Sequence, residues 1–211
     1  MMANEPEYIG KINSEIRAML KIVEGLGVVV QDALERKRKG TKGAAYAASV
    51  NIQHMEEEVT ALCVGSLIRY QPFASDLRAI TVALKVSYDM SRICRYLYNI
   101  TEVLEEFDLD GCNVAGASEL LKDALSMVST SLTAYFDKNR SLASEIIERD
   151  HSIDERYRMI LSAQRRSQST SGDCILLNGL TARIIERLAD HACYISSETT
   201  YLVTGRRVGY R

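Results

Sequence analysis

The chain has 211 residues, of which 46% are apolar and 26% charged, and its formal net charge is −2 at pH 7. That length supports a real core in one domain or two small ones, and the near-zero charge gives no global field to draw the chain to nucleic acid or acidic lipid. Two prolines, three phenylalanines and no tryptophan suit long helices better than a sandwich of many turns.

At the N-terminus, MMANEPEY carries acids and no apolar signal core, so nothing in it directs secretion. Ile9, Ile12, Ile16, Met19, Leu20, Val23, Leu26, Val30 and Leu34 recur at three- and four-residue steps, which predicts a helix over 6–38. It runs out in ERKRKGTKG, a basic stretch that suits a helix C-terminus and a turn. Val50, Met55, Val59, Leu62, Leu67 and Ile68 predict a second helix over 44–70, stopped by Pro72. QPFASDLR then makes a short corner, in which Ser75 is expected to cap and Asp76 to sit in the first turn of the next helix. That third helix, 75–108, carries Val82, Val86, Ile93, Leu97, Ile100 and Leu104 on one face, and DLDGCNVAG, 108–116, reads as a linker.

Ser118 is expected to cap a fourth helix that runs to about Asn139 along Leu121, Leu125, Val128, Leu132 and Phe136. From Ser141 the stripe continues through Ile146, Ile147, Ile153, Tyr157, Ile160 and Leu161, and residues 137–141 read equally as a break or as continuous helix. RRSQSTSGD, 165–173, is a polar turn. The last helix, about 173–203, carries Leu177, Ile184, Leu188, Ile195 and Leu202 in one line and stops at Gly205. No apolar run approaches the roughly 18–20 residues of a membrane span, and the expected location is the cytoplasm. The five cysteines, at 63, 94, 112, 174 and 193, form no CxxC pair and are expected to be small buried hydrophobes in a reducing compartment. The pattern predicts an all-α chain, a tandem repeat of two antiparallel three-helix bundles over residues 1–110 and 111–211.

The halves match at a shift of 95 residues, which sets Val82 on Leu177, Ile93 on Leu188, Ile100 on Ile195 and Phe107 on Leu202 and indicates a duplication. Glu186 and Asp190 stack at i, i+4 on a face that points away from the Leu/Ile line. At the same shift they fall on Ser91 and Arg95, so the acidic pair exists in the second half alone. Carboxylates suit hard or borderline cations such as Mg²⁺, Mn²⁺ and iron, but two on one helix are too few for a tight site. Asp137, Asp150 and Asp154 are the available acids on the neighbouring helix, Asp137 and Asp150 being the first to test. The competing reading pairs Glu186 with Arg183 and Asp190 with Arg187 as surface ion pairs worth about 0.2–0.5 kcal/mol each. His191 lies near the buried stripe and is expected to be a hydrogen-bonded packing residue rather than a ligand. No nucleophile with a base, glycine-rich phosphate loop or HExxH is found, and no enzyme is expected.

QPFASDLR followed by ALKVSYDMSRI resembles the PhoU family of phosphate-transport regulators, and ERLADHACYISSETTYLVTG resembles that family's second repeat. The resemblance covers nearly the whole chain and implies a fold of two three-helix bundles. It implies a role in coupling the phosphate ABC transporter, through its ATPase, to a sensor histidine kinase, with membrane contact only through these partners. A homo-oligomer is expected, with a dimer favoured. Family members can carry metal clusters through an E(D)xxxD motif in each repeat. Here Glu186 and Asp190 match that motif, whereas Ser91 and Arg95 depart from it, and a fixed cation opposes metal binding. The expected metal, a divalent or trivalent ion (iron, Mn, Mg or Zn), is therefore confined to the second half. The alternative function is a metal-storing or metal-sensing helical protein with no transporter partner.

Overall fold

The computed structural model describes residues 6–166 and 171–207. Among them are six α-helices and no strand: α1 (Glu7–Glu35), α2 (Lys42–Tyr70), α3 (Ala74–Glu106), α4 (Ala115–Phe136), α5 (Arg140–Arg166) and α6 (Gly172–Thr204). Residues 1–5, and 167–170 of the expected polar turn, lie outside the described residues. No helix among the described residues is long and apolar enough to cross a membrane.

α3 and α6 pack on each other, α1 lies against α3, and α4 lies against α6. α2 packs only on α1 and α3, and α5 only on α4 and α6, so these two are the outer helices. One continuous apolar cluster runs from Ile12 on α1 to Ile195 on α6. The two halves thus bury a common core rather than two separate ones.

The duplication is visible in what each helix buries. Ile93, Leu97 and Ile100 of α3 fall on Leu188, Ala192 and Ile195 of α6 at a shift of 95, and all six are fully buried. For the first helices the shift is 101: Ile16, Met19, Val23 and Leu26 fall on Ala117, Leu120, Ala124 and Met127, all buried. α1 and α4 also end alike. Lys37 and Lys138 each take a left-handed conformation at φ 51°. The next N–H, of Arg38 or Asn139, donates to the carbonyl of Ala33 or Ala134 at 2.8 Å. This is a Schellman turn with lysine where glycine is usual.

That turn resolves residues 137–141 as a break, after which Asn139 Oδ1 accepts the Leu142 N–H at 3.1 Å and caps α5. Two expected caps are not made. α3 follows Phe73 with no side-chain cap, and α4 follows Val114, which leaves Ser118 inside the helix against Gln31 and Glu35. The C-terminal stop is as expected, with Gly205 left-handed at φ 69° and its N–H donating to the Tyr201 carbonyl at 2.8 Å.

The expectation for the cysteines needs correction. Cys63, Cys94 and Cys193 are free and buried, but Cys112 and Cys174 are joined in a disulfide with their Cα atoms 5.1 Å apart. The linker after α3 folds across the start of α6, where Ser171 Oγ caps the Cys174 N–H at 3.2 Å and Asp173 accepts from the Asp108 N–H at 3.0 Å. Partners 62 residues apart leave no local signature in the sequence. A cross-link closing a loop of that length stabilises by about 2–4 kcal/mol. Cys112→Ser is expected to lower the unfolding free energy by about that amount in chemical denaturation. Equal stability of variant and wild type would show that the bond contributes nothing.

Candidate functional site

Glu186 and Asp190 stand on the flank of α6 that α5 covers. The Glu186 side chain is 14% exposed, and one carboxylate oxygen accepts from Arg183 at 2.7 Å. The other, Oε2, is buried with no hydrogen-bond partner. Cys193 lies on the same flank, its Sγ 3.8 Å from the Ile146 carbonyl of α5. The outward facing expected for the pair is therefore wrong for Glu186. Leu177, Leu188 and Ile195 of the Leu/Ile line are fully buried, and α5 packs on α6 as α3 and α4 do.

Burial shapes the electrostatics. The Asp190 carboxyl is pushed up to about 6, first by desolvation and then by the negative charges of Glu186, Asp150 and Asp154. Glu186 is also raised, by desolvation and Asp154, against the pull of Arg183 and Arg187. Asp150 and Asp154 of α5 thus act on the α6 pair across the helix boundary. Asp154 also meets Arg158 at 3.3 Å. The surface-network reading holds for Arg183 with Glu186, at i, i+3.

Asp137 does not join this group. It caps the C-terminus of α4, and the helix rise from Arg140 to Asp150 alone is roughly 15 Å. The acid that takes its place is Asp154. Glu148 and His151 have the Glu-x-x-His spacing of di-metal bundles, but the His151 side chain is 75% exposed and pairs with Glu155 at 3.3 Å.

Among the described residues, no three His, Cys, Asp or Glu side chains gather closely enough to hold a metal ion as they stand. Asp150, Asp154, Glu186 and Asp190 are a carboxylate neighbourhood on two adjacent helices. Their oxygen donors, the orphaned Glu186 Oε2 included, fit a hard cation in chemical type. The first half lacks the set. Ala45, Ala48 and Met55 of α2 match Ala143, Ile146 and Ile153 of α5 at a shift of 98, all packed in the core. That register makes Ile52 the counterpart of Asp150 and Glu56 that of Asp154, as Ser91 and Arg95 are of Glu186 and Asp190. One acid and one cation remain, and the Arg95 guanidinium lies 5.0 Å from the Tyr98 ring centre.

His191 is the buried packing residue expected, with Nδ1 2.8 Å from Asp89 Oδ1 of α3. Burial raises the Asp89 carboxyl, and the hydrogen bond from His191 opposes that rise. The sequence signal for this partner was the shift of 95 itself, which sets Asp89 on apolar Ile184.

A pH dependence follows from Asp190. Its carboxyl titrates near 6 in the fold and near the ordinary 3.8 when unfolded, so the folded chain binds more protons between those values. Ionised Asp190 therefore costs stability above that window, and the cost fades as pH falls through it. In chelator-treated protein, Asp190→Asn is expected to raise the melting temperature at about pH 7.5 and change it little at about pH 4. A lower melting temperature for the variant at the higher pH would show that favourable contacts hold the charged form.

Comparison with known proteins adds a second line of observation. The sequence model of one family, the PhoU domain, matches residues 16–104 and again 117–199. The two matches begin 101 positions apart and end 95 apart, the same shifts shown by the buried faces of α1/α4 and α3/α6. The chain is 24% identical over 206 residues to the phosphate-specific transport system accessory protein PhoU homolog of Clostridium acetobutylicum, covering 94% of this chain and 93% of the relative. It is 26% identical over 204 residues to PhoU homolog 1 of Thermotoga maritima, which carries the same accessory-protein description, covering 93% and 88%. Among solved structures it resembles the phosphate transport system regulatory protein PhoU of Streptococcus pneumoniae, with a TM-score of 0.89 at 20% identity over 95% of this chain and 97% of that one. It also resembles PhoU of Pseudomonas aeruginosa, with a TM-score of 0.84 at 24% identity over 94% and 98%.

Proposed function

The chain belongs to the PhoU family, and on that footing we propose that it is a cytoplasmic regulator of phosphate uptake and phosphate signalling rather than an enzyme. It acts by protein–protein contact with the ATPase of the phosphate ABC transporter and with a sensor histidine kinase, as a homo-oligomer, most simply a dimer. The observation that carries this reading is the match of both repeats, end to end, to proteins described as phosphate-transport accessory proteins. Purified, tagged protein is expected to capture the transporter ATPase and the cytoplasmic part of the kinase from the same organism. Capture of neither would overturn the reading.

A second reading rests on the under-compensated charge of the carboxylate group. Glu186 Oε2 lacks a partner and Asp190 is raised to about 6, so a cation drawn there would relieve both. Glu186, Asp190, Asp150 and Asp154 would hold an iron, Mn, Mg or Zn ion in the second half only, and the ion would supply a fixed positive charge. The double variant Glu186→Gln with Asp190→Asn keeps shape and removes both charges. Elemental analysis after loading and desalting is expected to find metal with the wild type and none with the variant. Equal metal in the two, or none in either, rejects this reading.

A further inference from the structure

α1 and α4, the first helices of the two repeats, run antiparallel along the thinnest seam between the halves. One end of the seam is closed. The Arg17 guanidinium lies 3.8 Å from the Phe136 ring centre, and the Tyr135 hydroxyl donates to Asn13 Oδ1 at 2.8 Å. Towards the other end the helices touch through Gly27, where a Cβ would come within 2.9 Å of Leu125 Cδ2. Beside that contact the seam opens into a cleft of about 400 Å³ with an apolar floor of Val23, Val28, Leu125 and Val128. Val28 forms its lip and is 70% exposed.

Acids outnumber cations among the polar groups that line the cleft. Glu24, Asp32 and Glu35 stand on α1, opposed by one cation, Lys122 of α4. Asp32 is neutralised by Arg36 and Arg38, each at 2.6 Å. Among the described residues Glu24 and Glu35 have no cation: Glu24 accepts from Ser129 at 3.0 Å, and Glu35 from Gln31 at 2.8 Å. Gln31 spends its amide N–H groups on Glu35 and Ser118, and its Oε1 is buried without a partner.

We propose that this cleft is a docking groove for a basic amphipathic helix of a partner protein. The apolar side chains of that helix rest on Val28, Leu125 and Val128, and its lysines or arginines pair with Glu24 and Glu35. Charge complementarity selects this occupant. A second copy seated groove to groove would set the same acids against each other across the two-fold axis. A lipid tail would fill the floor and leave the carboxylates unmet. Because the groove lies across α1 and α4, one helix laid in it touches both repeats. The inference rests on the regulatory reading above only for supposing that such a partner exists.

The test uses the full chain and two fluorescein-labelled peptides, an amphipathic leucine–lysine helix and its leucine–glutamate counterpart, followed by anisotropy. The leucine–lysine peptide is expected to bind at least about tenfold more tightly than the acidic one. Val28→Asn, and separately Glu24→Gln with Glu35→Gln, should each weaken it by about tenfold, whereas Ile68→Asp on the exposed face of α2 should leave it unchanged. Circular dichroism checks that each variant folds. No binding, equal binding by the groove variants, or equal loss in Ile68→Asp overturns the groove. No transporter component enters this measurement, so its failure is separate from failure to capture the ATPase or the kinase.

Discussion

The packing of α3 against α6 places every other helix in the molecule. Both are 33 residues long, and α1 and α2 lean on one as α4 and α5 lean on the other. Apolar side chains supply the bulk of the contact, but leucines and isoleucines tolerate sliding. The polar contacts do not. Asp89 with His191 and Lys85 with Glu198 cross the same interface in antiparallel register. A slip of one turn would strand a buried carboxyl and a buried imidazole, each costing about 1–3 kcal/mol unsatisfied. The core therefore sets the strength of the union, and the Asp89–His191 contact sets its alignment.

On this common frame the halves have diverged in chemistry. At the positions that match by repeat shift, α2 carries Ile52 and Glu56, and α3 carries Ser91 and Arg95. α5 presents Asp150 and Asp154 to Glu186 and Asp190. Four acids in partial burial repel one another, and the Asp190 carboxyl is raised first by its own desolvation and then by that repulsion. The first half is without the cluster: a buried isoleucine, Ile52, stands where the second half has Asp150.

Much of the architecture was legible because long amphipathic helices advertise their period, and the duplicated stripe of α3 and α6 was readable as a fixed shift. Interactions between helices were less so. Facing Glu186 outward followed from α6 alone, and only the position of α5 reverses it. Asp137 and Asp154 are both acids near the right sequence region, and helix rise, not composition, separates them. Ser75 and Ser118 are good cap residues passed over because neighbouring turns begin each helix first. Cys112 and Cys174 meet only after the linker has crossed α6. Asp89 did leave a trace, as an acid aligned with an apolar residue, and such mismatches between repeats mark where one half holds the other.

The central claim is that the α3–α6 contact makes the two repeats one cooperative body. Native-state hydrogen exchange under rising denaturant reads this directly. The buried amides around Ile93 and Leu97 in α3 and around Leu188 and Ile195 in α6 should lose protection together, at one free energy of opening. Loss of protection in one half at clearly lower denaturant, with the other half still closed, would show two independently folding units and contradict the claim.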